Sequence, residues 1–237
     1  MIGRVAVIGA MAVETARLRA AMTGPVTERR GPFEVHIGRI EGVDVILAEC
    51  GIGKVNAAAL TQALLDMGAA KVVFTGVAGA LAPELRVGDV VIGDSAVQHD
   101  VDVTALGYQP GEVPGSGTVF EADGALVAAA FEAARQAALV SGGWRVVRGR
   151  VASGDRFVGG GELARQIRER FAAACVEMEG AACAQVCSRW GIPFVIVRSL
   201  SDSADHSAQV DFRAFTELAA ERAEQIVRGL LRTLART

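Results

Sequence analysis

The chain has 237 residues, of which 51% are hydrophobic, and it carries a formal net charge of −3 at pH 7. This length could form one large α/β domain or two small ones, and we favour a single domain over residues 1–237. The charges are interspersed and nearly balanced, which argues against nucleic acid or an anionic membrane as a partner.

The cysteines and the N-terminal residues indicate in which cellular compartment the protein is expected to work. Cys50, Cys175, Cys183 and Cys187 lie in apolar segments, and their spacing fits neither a zinc site nor a disulfide framework. The N-terminal apolar run is shorter than the core of a signal peptide, and no apolar segment is long enough to span a bilayer. We therefore expect buried, reduced thiols and a cytoplasmic protein.

In the first part of the chain, short β-branched runs alternate with segments of helix-forming composition. Glu41-Gly42 stands between two strand candidates and suits a hairpin turn. Glycine-containing turns at 51–54 and 76–79 follow strands, as do the ligand-binding loops of open α/β sheets. The predicted strands are 4–8, 33–40, 43–49 and 72–75, and the predicted helices are 11–22 and 55–67.

The second part continues the same alternation without an internal repeat or a linker. The strand at 193–200 is apolar except for Arg198, as expected where both sheet faces are covered. Residues 107–117, rich in Gly and Pro, are predicted to form a surface loop. The other predicted strands are 89–97, 144–152 and a segment that ends near 176, and the predicted helices are 123–138, 162–171, 181–190 and 212–234.

Two patterns suggest a cofactor or a metal. Gly51-Ile52-Gly53 resembles a dinucleotide loop, but Asn56 occupies the third glycine position and the spacing to Lys54 does not fit a phosphate-binding loop. His99 with Asp100 and Asp102 could hold a metal, although one histidine with two loop acids more often forms a hydrogen-bonded turn. We therefore expect neither a cofactor nor a metal.

Two carboxylates flank Met178 in an otherwise small and apolar segment. At least one of Glu177 and Glu179 must find a partner or shift its pKa if it is desolvated there. A strand end followed by a helix start would also place acids near a helix N-terminus, where the dipole favours them. From this segment alone, the structural interpretation is slightly stronger than a catalytic one.

Other charged residues stand at predicted strand ends. Asp202 ends the strand that Arg198 interrupts, and strand carboxyl ends supply active-site groups in α/β folds. A core ion pair with Glu177 or Glu179 would explain Arg198 equally well. Glu14 either faces the same crevice or is a solvated first-turn glutamate. Together, such carboxylates could act as general acid, water activator and sugar ligand.

Several sequence blocks occur in one order along nearly the whole chain. They are Ile8-Gly9-Ala10-Met11 with Glu14, Gly51-Ile52-Gly53-Lys54-Val55, Thr75-Gly76-Val77-Ala78-Gly79, Val87-Gly88-Asp89, His99-Asp100-Val101-Asp102-Val103-Thr104, Ser153-Gly154-Asp155, Val176-Glu177-Met178-Glu179 and Ser201-Asp202. In these blocks the chain resembles the bacterial 5′-methylthioadenosine/S-adenosylhomocysteine nucleosidases of the purine nucleoside phosphorylase superfamily.

The resemblance implies a nucleoside phosphorylase-like fold, a single α/β domain with a mixed central β-sheet flanked by helices. It implies hydrolysis of the N-glycosidic bond of adenine nucleosides that carry a 5′-thio substituent, as in methionine salvage. The substrates would be 5′-methylthioadenosine and S-adenosylhomocysteine, and the products adenine and a 5-thioribose compound. It further implies a homodimer that works without a cofactor or a metal.

Matching positions imply the catalytic roles. Asp202 would protonate adenine N7, with Ser201 holding its carboxyl group, and Glu14 would activate the water with help from Arg198. Electrons move into the purine while positive charge builds on the ribose, so these groups act most strongly in the transition state. Asp202 must then be protonated near neutral pH, which requires a raised pKa.

The other matches are binding residues, with two departures from the family pattern. Val77 stands where relatives often carry a serine, and Leu106 stands where an aromatic residue usually contacts the 5′ substituent. Glu177 is a candidate partner of Arg198. The implied binding residues are Phe157 and Val158 at the base, Met178 and Glu179 at the ribose, Met11, Ile52 and Phe212 around the nucleoside, and Leu106 and Tyr108 in the neighbouring subunit's pocket.

Three alternatives stay open at this point. Phosphorolysis is disfavoured, because Phe74 and Glu14 stand where related phosphorylases have arginines and an acid would repel phosphate. A nucleoside-binding protein without turnover is disfavoured because Glu14, Glu179 and Asp202 are all retained. Hydrolysis of 6-amino-6-deoxyfutalosine is a close alternative, since that substrate differs at the 5′ end, where Leu106 departs from the family.

Overall fold

A computed structural model describes residues 3–202 and 208–236, with backbone only for 208–214 and 216. Strands and helices alternate along most of this chain, and a short 3₁₀ helix covers Thr104–Leu106. The strands are β1 Val5–Gly9, β2 Thr23–Arg30, β3 Phe33–Ile40, β4 Val43–Glu49, β5 Lys71–Ala80, β6 Val90–Gln98, β7 Val119–Glu121, β8 Val146–Ser153, β9 Ala173–Glu177 and β10 Phe194–Asp202. The helices are α1 Ala12–Ala20, α2 Lys54–Asp66, α3 Gly124–Ser141, α4 Gly161–Phe171, α5 Gly180–Trp190 and α6 Ala208–Leu234.

The strands form one mixed sheet in the order β2-β3-β4-β1-β5-β9-β8-β6-β10, and β7 pairs with β6. Strand β10 also pairs with β5, so β5, β9, β8, β6 and β10 close into a ring. Strands β1, β5 and β10 are parallel neighbours. Their carboxyl ends therefore meet at the same edge, where loops can gather side chains around a ligand.

Helices cover both faces of the sheet, as the fold-class prediction required. On one face, Phe74 and Ile196 pack in a cluster with residues of α2 and α5, while Val73 and Val197 pack on the other with α3 and α6. All residues of β10 are buried in consequence, Arg198 included. An arginine in that position must be paired within the protein.

The predicted hairpin at Glu41-Gly42 is confirmed. Both residues have positive φ angles, 51° and 81°, as a two-residue turn between twisted strands requires. The strands that flank it, β3 and β4, have the predicted bounds.

Three details of the prediction were wrong or incomplete. Residues 76–79 are not a loop, because β5 continues to Ala80, where β10 and β9 pair with it. Strand β2 was missed because it contains Gly24 and Pro25 and is largely exposed at the end of the sheet. Strand β7 was missed because it has only three residues.

The other sequence expectations concern helices and thiols. No helix in the described ranges is long and apolar enough to cross a membrane. All four cysteines are buried and free, as predicted.

Candidate active site

A pocket of about 200 Å³ lies at the shared carboxyl edge of β1, β5 and β10. Most of the residues predicted for the site meet there, although they come from distant parts of the chain. The lining residues are Ala10, Met11, Glu14, Ile52, Val77, Ala78, Gly79, Arg156, Phe157, Val158, Val176, Glu177, Met178, Glu179, Ser201 and Asp202.

Glu14 lies in the first turn of α1 and is only 2% exposed, so it is not the solvated glutamate of the alternative interpretation. Its Oε2 accepts hydrogen bonds from the backbone N–H groups of Ala10 (2.7 Å) and Met11 (2.9 Å), and its Oε1 accepts one from Val77 (3.0 Å). Burial raises the pKa of Glu14, while Arg198 and these three N–H groups offset part of the rise. Glu14 is thus a fixed, desolvated carboxylate at the pocket wall.

Gly76 allows Glu14 and Arg198 to approach each other across β5. A Cβ atom at this position would lie 2.6 Å from Glu14 Oε1 and, on another side, against the guanidinium of Arg198. Neither group could keep its place beside a larger residue. Glycine at position 76 therefore allows Glu14 and Arg198 to lie close together. It belongs to a strand, and its predicted place in a loop was wrong.

Arg198 forms a buried ion pair with Glu177, as the sequence suggested. Its guanidinium also lies over the ring of Phe74, 4.7 Å from the centroid. Burial opposes the charged form, but the carboxylates of Glu177, Glu179 and Glu14 outweigh it and raise the pKa of Arg198. Arg198 does not line the pocket itself and lies buried beneath its wall.

Removing one member of this pair should destabilise the protein strongly. We expect Arg198→Met to lower the free energy of unfolding by about 3–5 kcal/mol, because Glu177 keeps a buried charge without its partner. Urea denaturation followed by circular dichroism would measure this. The exposed pair of Arg39 with Asp44 is the control, and Arg39→Met should cost less than about 1 kcal/mol. Equal losses in the two variants would contradict the buried-pair interpretation.

Glu177 has further partners that fix it as a structural carboxylate. It accepts hydrogen bonds from the hydroxyl of Ser153 and from the N–H groups of Glu179 (3.3 Å) and Gly180 (2.8 Å to Oε2). These donors belong to β8 and to the start of α5. The structural interpretation of this segment thus fits Glu177, whose carboxylate holds two elements together.

Glu179 differs from Glu177 because it points toward the loop before α2. Its Oε1 accepts a hydrogen bond from the N–H of Gly53 at 2.8 Å. Burial, reinforced by the charge of Glu177, raises the pKa of Glu179 to about 7, against the opposing effects of Arg198 and the Gly53 N–H. The two glutamates therefore have different partners. Glu177 pairs with Arg198, as predicted, and Glu179 accepts the N–H of Gly53.

Asp202 ends β10 and is 3% exposed. Ser201 donates a hydrogen bond from its hydroxyl to Asp202 Oδ2 at 2.9 Å, the contact that the resemblance implied. The register of β10 against β5 shifts just before Asp202, which pairs with Gly79. This irregularity brings two consecutive residues, Ser201 and Asp202, to the same pocket.

The remaining predicted residues divide into those in the pocket and those away from it. Met11, Ile52, Val77, Phe157, Val158 and Met178 line it. Leu106 and Tyr108 do not line it in the described chain and are 75% and 37% exposed. Phe212 lies in α6, but its side chain falls outside the described residues.

Some contributions to the site were not predicted. Arg156 lines the pocket beside Phe157, and Ser153 and Gly53 bind the two glutamates. Ser153 could have been found from its place in the Ser-Gly-Asp block that follows a strand. The Gly53 contact uses a backbone N–H, for which the residue type gives no signal.

The two acids of the metal candidate have other partners. Asp102 accepts two hydrogen bonds from Thr104, from its N–H (3.0 Å) and its hydroxyl (2.6 Å), as in the expected hydrogen-bonded turn. Asp100 is paired with Lys54. Within residues 3–202 and 208–236, no group of three or more His, Cys, Asp and Glu side chains could hold a metal ion.

The chain is similar to known proteins along nearly its whole length. The family model described as the phosphorylase superfamily matches residues 4–232. A 5′-methylthioadenosine/S-adenosylhomocysteine nucleosidase of Geobacillus kaustophilus (strain HTA426) is 46% identical over 230 residues, 96% of each chain. The chain belongs to this nucleosidase family. Its members are glycosidic-bond hydrolases, so the chain is an enzyme of that class.

Solved structures of relatives share the fold. The nucleosidase of Neisseria meningitidis in complex with methylthio-immucillin-A is 43% identical, with a TM-score of 0.91 over 98% of this chain and 100% of that one. A futalosine hydrolase of Helicobacter pylori strain 26695 is 33% identical, with a TM-score of 0.91 over 98% and 99% of the two chains. The nucleosidase is the more similar of the two in sequence.

Proposed function

We propose that this nucleosidase hydrolyses the N-glycosidic bond of 5′-methylthioadenosine and S-adenosylhomocysteine, releasing adenine and the 5-thioribose product. The observation that carries the proposal is the meeting of Glu14, Glu179 and Asp202 in one pocket, with Arg198 beneath it. A relative that is 46% identical is named 5′-methylthioadenosine/S-adenosylhomocysteine nucleosidase. The proposed reaction also gives Glu14, Glu179 and Asp202 separate tasks, and Arg198 assists Glu14.

Asp202 is the proposed general acid at the base. As the glycosidic bond breaks, electrons move into the purine, so a donor to N7 gains strength in the transition state. Ser201 fixes the carboxyl group by donating to one oxygen. Phe157 and Val158 lie in the same pocket, where the flat base can pack against them.

Glu14 is the proposed activator of the water. Its two oxygens accept three backbone hydrogen bonds in total, and a carboxylate has room for about four, so it can still accept one from water. Burial raises its pKa, which makes it a stronger base than an exposed glutamate. Its negative charge also stabilises the positive charge that builds on the ribose.

Glu179 is the proposed ligand of the ribose hydroxyls, beside Met178. One of its oxygens accepts from Gly53, and the carboxylate lines the pocket, where it can accept from a sugar hydroxyl. Its pKa near 7 means that the group is partly protonated at neutral pH. Nucleoside binding through the ionised form should therefore strengthen as the pH rises through about 7.

Phosphorolysis fits this pocket poorly. Phe74 is buried under Arg198, and the charge of Arg198 is already paired with Glu177. Glu14 and Glu179 line the pocket as further acids. Phosphate would meet repulsion where the related reaction needs cations.

We also propose a homodimer in a reducing, cytoplasmic setting. Leu106 and Val55 are 75% and 78% exposed, and Ile52 is 58% exposed near the pocket mouth, which would suit burial against a second subunit. In that arrangement Leu106 and Tyr108 would reach the partner's pocket. The four buried free thiols are compatible with a reducing compartment.

The deciding experiment is adenine release from a panel of 5′-substituted adenosines, with and without phosphate. We expect release from 5′-methylthioadenosine and S-adenosylhomocysteine at rates that do not depend on phosphate. Preference for 6-amino-6-deoxyfutalosine would assign the chain to the alternative reaction. Release only with phosphate would overturn hydrolysis, and tight binding without release would indicate a binding protein.

A further inference from the structure

Three charged residues next to the pocket have no task in the reaction proposed above. Lys54 Nζ donates to Asp100 Oδ1 at 2.6 Å, and the N–H of Asp155 donates to Asp100 Oδ2 at 2.9 Å. Asp155 Oδ1 in turn accepts the N–H of Lys54 at 2.8 Å. Residues 54, 100 and 155, which we name the clamp, thus form a closed set of hydrogen bonds between three separate segments.

The clamp holds the turn that binds Glu179. The N–H of Lys54 goes to Asp155, and the preceding N–H, that of Gly53, goes to Glu179 Oε1. Two adjacent amides are therefore fixed at the same time, one by the clamp and one by the carboxylate. A shift of this turn that broke the first bond would also move the second.

Gly53 has the backbone geometry that such a turn needs. Its φ angle is +99°, and a Cβ atom there would lie 3.1 Å from Asp155 Oδ1. A side chain at this position would therefore be strained and would press on the clamp. Glycine lets the chain turn sharply into α2 while the carboxylate of Asp155 lies close to the backbone.

The start of α2 adds an electrostatic reason for the arrangement. The N–H groups of Gly53 and Lys54 stand at this helix N-terminus, where amides lack partners within the helix and negative charge is favoured. Asp155 and Glu179 supply that charge from outside the helix. The ionised form of Glu179 is thereby supported against its burial.

We propose that Lys54, Asp100 and Asp155 are positioning residues that hold the Gly53 amide against Glu179 and so orient this carboxylate toward the ribose. The ribose part of this statement rests on the proposed function. The clamp acts through Glu179, so its loss should weaken binding of a nucleoside more than binding of free adenine.

Calorimetry with two ligands tests this without any need for turnover. The first is the 7-deaza analogue of 5′-methylthioadenosine, which has no N7 to protonate, and the second is adenine. We expect Lys54→Met to weaken binding of the analogue about three- to fivefold, the effect expected from losing a partly exposed ion pair, and to change adenine binding less than twofold. Lys54→Arg should restore part of the loss, and Lys71→Met, at the start of β5, is the matched control.

A double-mutant cycle decides whether the clamp acts through Glu179. In a Glu179→Ala background, which has no acceptor for the Gly53 N–H, Lys54→Met should have little further effect on binding of the analogue, and Asp155→Ala should behave in the same way. Additive losses, or equal losses for adenine and the analogue, would overturn the proposal. A wild-type protein that binds the analogue but releases no adenine from 5′-methylthioadenosine would contradict the proposed hydrolysis, while the cycle would still test the clamp.

Discussion

The Asp202→Asn variant is expected to release adenine from 5′-methylthioadenosine about 10² to 10⁴ times more slowly than the wild type, the usual contribution of a positioned general acid. Asparagine has nearly the same shape and can still accept the hydrogen bond from Ser201, but it cannot give a proton to N7. The fold should survive, because the substitution nearly keeps the size of the side chain and its hydrogen bond from Ser201. Steady-state kcat and thermal denaturation would measure the two effects.

Asp89→Asn is the matched control for that experiment. Asp89 is also buried, but it accepts the N–H groups of Arg86 (2.9 Å) and Arg145 (2.8 Å) and does not line the pocket. We expect this control to lower stability while the kcat of the folded protein stays near the wild-type value. Near-normal turnover by Asp202→Asn would remove Asp202 from the catalytic role.

The sequence predicted those parts of the fold that depend on local pattern. Alternating β-branched and helix-forming segments placed most elements, and the turn at Glu41-Gly42 followed from residues that accept positive φ angles. Arg198 could be predicted to need a carboxylate because no solvent reaches a strand covered on both faces. These inferences use only the residue and its immediate surroundings.

Pairings between distant segments could not be predicted in the same way. Strand β5 runs on to Ala80 only because β10 and β9 supply partners there, and a local pattern gave Thr75 as its end. The exposed strand β2, with Pro25 and several charges, contradicts strand propensity and exists because β3 pairs with it. Ring closure by β5 and β10 likewise depends on contacts far apart in sequence.

The side chains of the candidate site could be predicted from the sequence, but their contacts with the backbone could not. Glu14, Glu179 and Asp202 could be proposed from residue type, strand ends and resemblance. Backbone N–H groups hold these side chains, among them those of Ala10, Val77 and Gly53. Such donors are common to nearly all residue types and leave no signal in the sequence. Since these amides oppose the rise in pKa that burial causes, the electrostatics of the site required the structure.

One buried arginine shapes the behaviour of the surrounding acids. Arg198 is paired with Glu177, and it lowers the pKa values of Glu14 and Glu179 only in part, so both stay raised by burial. Two pocket carboxylates of raised pKa can accept protons more readily than exposed acids would. Because Arg198 is paired with Glu177, its charge offsets the charges of Glu14 and Glu179 only in part.

The Glu14→Gln variant should still bind the nucleoside but hydrolyse it about 10² to 10⁴ times more slowly than the wild type, because the amide cannot take a proton from water. It should also cost about 1–3 kcal/mol of stability. Both oxygens of Glu14 accept backbone N–H groups, from Ala10, Met11 and Val77, so the amide nitrogen of glutamine must face at least one donor. Calorimetry with the 7-deaza analogue, adenine release and urea denaturation would separate the three effects.

Glu49→Gln provides the comparison for that variant. Glu49 ends β4 and accepts the hydroxyl of Thr15, one residue beyond Glu14, but it does not line the pocket. We expect this variant to hydrolyse 5′-methylthioadenosine at close to the wild-type rate. If Glu14→Gln instead lost nucleoside binding in step with its loss of fold, the carboxylate would be a structural anchor of the loop after β1. If binding persists and the loss of stability stays within about 1–3 kcal/mol while hydrolysis disappears, Glu14 acts on the water, because the substitution then leaves the pocket intact and removes a proton acceptor.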